Sequence, residues 1–179
     1  MGTGTARIPI GIAENEPDCK VYAIDLSLTM LKFAQENIQE NIKNKGLEDK
    51  ITFLLADAKL LPFKDNSFDL VLCSNLLHHL DDPTLVLNEM NRVAKKTEGE
   101  VFIRDLIRPP RWIAKLCVRI FGMFYDEAIK KDYWNSLCAA FSLKEFKQLV
   151  GNWANIAINF PHYVTIVRKK GLESTDTKD

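Results

Sequence analysis

The sequence predicts an α/β fold with a mostly parallel sheet and an antiparallel C-terminal strand. Three observations carry this. Short apolar runs alternate with helix-period stretches from the N-terminus to about residue 107, the pattern of βα units. Several of these runs end in Asp or Ser, at the strand ends where open α/β sheets hold ligands. The last two runs, 155–160 and 163–167, lie so close around Pro161 that they read as an antiparallel pair.

The elements follow in order. Gly2-Thr3-Gly4-Thr5 opens onto a helix over 6–14, with Pro9 in its first turn, where a missing N–H costs nothing. A strand over 20–24 ends at Asp25. Ser27 caps a helix to about 44, with Leu31, Ala34, Ile38 and Ile42 as its apolar stripe, Lys43 and Lys45 at the negative end of its dipole and Gly46 as its stop. Strands over 51–56 and 68–74 come next, the second apolar enough to be buried on both faces. Asp82-Pro83 starts a helix to about 95, and 101–106 is a further strand. The segment 109–141 is aromatic-rich and largely helical. Ser142 and Glu145 form a capping box for a helix over 142–151, with Phe141 and Phe146 as its hydrophobic staple. Residues 171–179 form a solvated tail, and 1–170 read as one domain.

Composition narrows the function. With 24 basic and 24 acidic residues the formal charge is zero, which argues against nucleic acid as a partner, because neutralising phosphates needs surplus cations. The four cysteines are widely spaced and form no C-x-x-C pair, and the three histidines do not complement them as zinc ligands. Reduced thiols and the lack of a secretory leader pattern make cytoplasm the expected location. A small-molecule partner is expected, and a homo-oligomer is allowed.

Four features carry the chemistry. Gly2 and Gly4, with Thr3 between them, let backbone approach a ligand at a helix start. Asp25 can accept hydrogen bonds from two ribose hydroxyls. Asp57-Ala58 is placed for an adenine edge. Ser74-Asn75 ends a strand and leads into Leu76-Leu77-His78-His79. Taken singly, each has a plainer reading: a turn, a helix cap, a turn before Pro62, packed histidines.

Together, GTGTARIPI, VYAIDLSLTMLKFAQENI and FLLADAKLLPFKDNSFDLVLCSNLLHHLDDPTLVLNEMNRVAK resemble the class I S-adenosylmethionine-dependent methyltransferases. The similarity is to the methyltransferase type 11 branch, which includes ubiquinone and menaquinone C-methyltransferases. It covers residues 2–107, and 142–168 more loosely. The resemblance implies a Rossmann-like three-layer fold, S-adenosylmethionine as cofactor and methyl transfer by direct displacement. It implies Gly2, Thr3 and Gly4 beside the methionine portion, Asp25 on the ribose and Leu26 against the adenine. Asp57 and Ala58 would contact the adenine edge, and Ser74 and Asn75 would lie near the sulfonium. Residues 108–141 would cover the acceptor site. The catalytic base is left unknown, with His78 and His79 as candidates and Asp105 and Tyr133 behind them. The sequence departs from the family in one respect: Met1 stands directly before Gly2, where members carry an apolar first strand that is central in the sheet order 3-2-1-4-5-7-6. The expectation is therefore a chain truncated at its N-terminus.

Two rivals stand beside this reading. A nicotinamide-dependent oxidoreductase would want G-x-G-x-x-G, but position 7 is Arg. A non-catalytic or truncated methyltransferase-like module would bind the cofactor weakly or not at all, its glycines fraying at a loose terminus. In 108–125, Arg108, Arg111, Lys115 and Arg119 interleave with Trp112, Leu116 and Ile120. A helix packed on the sheet with its cations solvated is the expected outcome, and membrane contact is not.

Overall fold

The computed structural model describes residues 1–42, 47, 49–159 and 162–168. The chain divides into two compact units, 1–63 and 64–179. Among the described residues the strands form two sheets, β1-β2 in the first unit and β3-β4-β6-β5 in the second. Within each sheet the order matches the one that the family resemblance implies. Within its own sheet β3 is a terminal strand.

The first unit is built from α1 (Arg7–Asn15), β1 (Val21–Asp25), α2 (Leu28–Ile42) and β2 (Ile51–Leu55). α2 is the crossover that lets β1 and β2 run parallel, with Val21 opposite Ile51 and Asp25 opposite Leu55. Its helical spacing delivers Leu31, Ala34 and Ile38 to the interior. Met30 N donates to Ser27 Oγ at 3.3 Å, so Ser27 is the cap. The core joins Ala13, Ala23, Ile38, Leu47 and Ile51. The expected helix end at Lys43, Lys45 and Gly46 lies outside the described residues, as does the side chain of Ile42.

The second unit runs β3 (Leu70–Ser74), a 3-10 turn (Leu77–His79), α3 (Thr84–Val93), β4 (Glu100–Leu106), α4 (Arg111–Phe121), α5 (Glu127–Ala139), α6 (Leu143–Val150), β5 (Ala154–Asn159) and β6 (Tyr163–Arg168). β3 and β4 are parallel, and β6 is antiparallel to both β4 and β5. The expected closing pair therefore forms, although Phe160, Pro161 and the 171–179 tail lie outside the described residues. α3 starts at Thr84, whose N–H is accepted by Asp82 Oδ1 at 2.9 Å. Before β4 the chain passes Gly99, where a Cβ would lie 2.5 Å from Lys95 N. Only glycine fits so close to the backbone.

One expectation fails. β3 is not buried on both faces: Val71 and Cys73 are buried, while Leu70 is exposed. A strand at the end of its sheet, packed by α3, alternates like any one-sided strand. Two of the four cysteines, Cys73 and Cys117, are buried, and Cys138 is exposed. Burial pushes the Cys73 thiol up to about 12. No described helix is long and apolar enough to cross a membrane.

The capping box forms as expected. Glu145 N donates to Ser142 Oγ at 3.3 Å and Ser142 N to Glu145 Oε2 at 2.6 Å. The Phe141 and Phe146 rings meet edge-on at 5.6 Å. The Ser142 amide, then its hydroxyl, then Arg108 hold the Glu145 carboxyl down at about 2. A depressed carboxyl stabilises the fold above its ordinary range, and that contribution is lost as pH falls toward about 2. Ser142→Ala is expected to cost about 1 kcal/mol, lowering the thermal midpoint by roughly 2–4 °C. Calorimetric unfolding would check this, and an unchanged midpoint would show that the cap is dispensable.

Candidate active site

In the first unit the glycine loop is tied to the end of β1. Gly2 and Gly4 take φ of 63° and 52°, a left-handed backbone that glycine adopts without penalty. A Cβ at Gly4 would meet nothing within 4 Å, so backbone angle and not space calls for glycine there. Thr3 N donates to Ile24 O at 3.0 Å. Gly4 N donates to Asp25 Oδ2 and Ser27 N to Asp25 Oδ1, both at 2.9 Å. Two hydrogen bonds thus tie the loop to the end of β1. Ala6, fully buried, also sits at φ 62°. That strain costs about 1–2 kcal/mol and is of the kind found at ligand-binding turns.

Asp25 is thus first of all the staple of the loop, a role the sequence did not disclose. Each carboxylate oxygen accepts one amide and keeps a second lone pair. The set still suits a vicinal diol. The next residue, Leu26, is 70% exposed, a large apolar surface free to face a flat ring. Asp57 Oδ1 accepts Lys59 N at 2.9 Å, and Leu60 N donates to Asp57 O. Asp57 therefore organises its own turn, as the plainer reading had it, and presents half-buried Ala58 beside it.

In the second unit a buried polar centre forms at the ends of β3 and β4. Asn75 turns the chain at φ 52°, its N–H donating to Arg104 O at 2.9 Å. Asp105 is fully buried. Its Oδ2 accepts Leu76 N at 3.0 Å and Leu77 N at 2.7 Å, and its Oδ1 accepts Leu106 N at 2.7 Å. Oδ1 also lies 2.6 Å from Nδ1 of buried His78. Three amides clamp the carboxylate, and the fourth donor is the imidazole. With Nδ1–H pointing at Asp105, Nε2 is the nitrogen left to take a proton. The His79 ring lies 4.0 Å from that of His78. Burial, and then His78 beside it, lowers the His79 pKa, so His79 is neutral at pH 7.

α5 packs against this turn and brings a second polar pair. Tyr133 Oη lies 2.5 Å from Nε2 of His162, which is buried. Burial raises the phenol to about 12 and lowers the imidazole. The sequence offered no sign of His162, whose partner stands 29 residues away. Ser74 is half-buried and Asn75 exposed at the β3 end.

A glycine loop fastened to the acid that ends the next strand of a βαβ unit defines a cofactor-binding α/β protein. Residues 1–103 match the family model described as a methyltransferase domain. The chain is 34% identical over 137 residues to a demethylmenaquinone methyltransferase of Anoxybacillus flavithermus, covering 69% of this chain and 55% of that protein. A crystal structure of a SAM-dependent methyltransferase from Aquifex aeolicus matches at TM-score 0.67 and 19% identity, over 93% of this chain and 78% of that one. The plantazolicin methyltransferase BpumL, solved in complex with a triazolic desmethylPZN analog and SAH, matches at TM-score 0.71 and 15% identity, over 94% and 74%. The chain belongs to the methyltransferase-domain family, within the class I S-adenosylmethionine-dependent methyltransferases. It spans about half the length of the curated relatives it matches.

Proposed function

We propose that this chain binds S-adenosylmethionine and serves methyl transfer to a small-molecule acceptor. The observation that carries the reading is Asp25, whose two oxygens hold Gly4 N and Ser27 N and keep one lone pair each. Family membership supports the same cofactor. When bound, it supplies an electrophilic methyl on a sulfonium, open to direct displacement by an acceptor nucleophile.

The chain's own residues then take these parts. The backbone of Gly2, Thr3 and Gly4 lies along the amino-acid portion. Asp25 accepts from the ribose hydroxyls, Leu26 covers the adenine, and Asp57 and Ala58 meet its edge. The sequence resemblance assigns Ser74 and Asn75 to the sulfonium end. Asp105 orients His78, and His78 Nε2 holds the proton of an acceptor that must lose one. α5 packs on the His78 turn, and His78 itself is buried.

Calorimetric titration with S-adenosylhomocysteine, with NAD as control, tests the cofactor assignment. Micromolar binding of the first alone is the expected result. Binding of neither would return the chain to the class of non-catalytic modules, and binding of NAD would make it an oxidoreductase.

A further inference from the structure

α4 carries two apolar sectors where a packed helix needs one. At about 100° per residue, positions four apart drift by only about 40°, so Trp112, Leu116 and Ile120 form one stripe. Arg111, Lys115 and Arg119, each one residue earlier, form the adjoining stripe. Ala114 and Cys117 take the buried side. The expected packing on the fold is met by those two residues with Ile113 and Val118 partly buried beside them, and Trp112, Leu116 and Ile120 are left outside. Trp112 is 69% exposed, Leu116 48%, Ile120 51% and Met123, in the turn that follows, 67%. Single exposed leucines are ordinary, but a contiguous stripe of this kind marks a binding surface.

The charge beside it says what binds. None of Arg111, Lys115 and Arg119 makes an ion pair among the described residues. Lys115 and Arg119 also join Lys130 in lining a groove of about 520 Å³ between α4 and α5. Glu127, also on the groove, is paired with Lys130 at 2.7 Å. In a chain of zero formal charge, this is a local concentration of cations along an apolar edge. It complements a surface that is apolar below and anionic at its rim. A second copy meeting this face through a two-fold axis would bring like stripes together.

We propose that α4 is a membrane-surface helix that seats the protein on anionic bilayers. Trp112, Leu116, Ile120 and Met123 enter the acyl boundary, and Arg111, Lys115 and Arg119 meet headgroup phosphates. This rests on α4 alone and not on the methyl-transfer reading.

The test is co-sedimentation of the full 179-residue chain with vesicles of phosphatidylcholine, alone or mixed with phosphatidylglycerol. Three cations near an anionic surface predict about a hundredfold stronger partitioning onto the mixed vesicles, weakening with salt. Leu116→Asp, and separately Arg119→Glu, should reduce binding toward the phosphatidylcholine level with an unchanged thermal midpoint, and Arg119→Lys should keep it. With Trp134 and Trp153 replaced by Phe, Trp112 emission should shift to the blue on the mixed vesicles. Equal partitioning onto both vesicle types, or binding indifferent to Leu116→Asp, would overturn the proposal. So would a dimer in analytical ultracentrifugation that Leu116→Asp disperses, since the face would then belong to a second copy.

Discussion

Asp105→Asn is expected to lower methyl transfer by about a hundred- to ten-thousandfold, the range for loss of a positioned general base. The amide oxygen can still accept Leu76 N and Leu77 N at the Oδ2 position. Its NH₂ then faces His78 Nδ1 and Leu106 N, where Oδ1 had accepted from both. The imidazole must give up Nδ1–H and carry its proton on Nε2, which turns the base into a donor. An Asp→Asn change beside a catalytic histidine in a serine protease acts through this same tautomer reversal. The Leu106 amide is also left unmet, at about 1–3 kcal/mol, so the thermal midpoint should drop by roughly 2–12 °C. Nitrogen-15 shifts of the imidazoles report the tautomer without any acceptor. If His78 kept Nδ1–H in the variant, the positioning role of Asp105 would be wrong. Unchanged affinity for S-adenosylhomocysteine would show that the effect is confined to the second unit's chemistry.

Asp25→Ala should weaken S-adenosylhomocysteine binding by at least about a hundredfold. Hydrogen bonds to a charged group contribute about 1.5–3 kcal/mol each, and two ribose hydroxyls are at stake. The loop loses one of its two ties to the β1 end, Gly4 N, and keeps Thr3 N on Ile24 O, while the turn after β1 loses its Ser27 N contact. Part of the loss is therefore disordered backbone and part is missing contact. Asp25→Asn retains one oxygen and should fall between. Calorimetry on the three proteins separates these cases. Equal affinities would remove Asp25 from the cofactor's site.

What the sequence determined by itself rests on neighbours along the chain. The Ser142–Glu145 box, the Phe141–Phe146 staple, the Leu31, Ala34 and Ile38 stripe and the Ser27 cap all join residues a few positions apart. Backbone geometry alone brings such residues together. The order of strands and the glycine loop were legible for the same reason, since each strand end and its acid or serine are contiguous.

Tertiary structure decided the rest. Asp25 meets Gly4 across 21 residues, His78 meets Asp105 across 27, and Tyr133 meets His162 across 29. Sequence reading offered Asp25 as a ligand for ribose and Asp105 as a minor base, because their partners stand 21 and 27 residues away and are brought together only by the fold. Burial went the same way. The apolar run in β3 looked buried on both faces, and the apolar positions of α4 looked packed. A hydrophobic side chain records that burial is favourable, not whether another surface is there to cover it. In β3 and α4 the fold leaves Leu70 and Trp112 exposed, and the uncovered stripe on α4 is a property of the assembled chain alone.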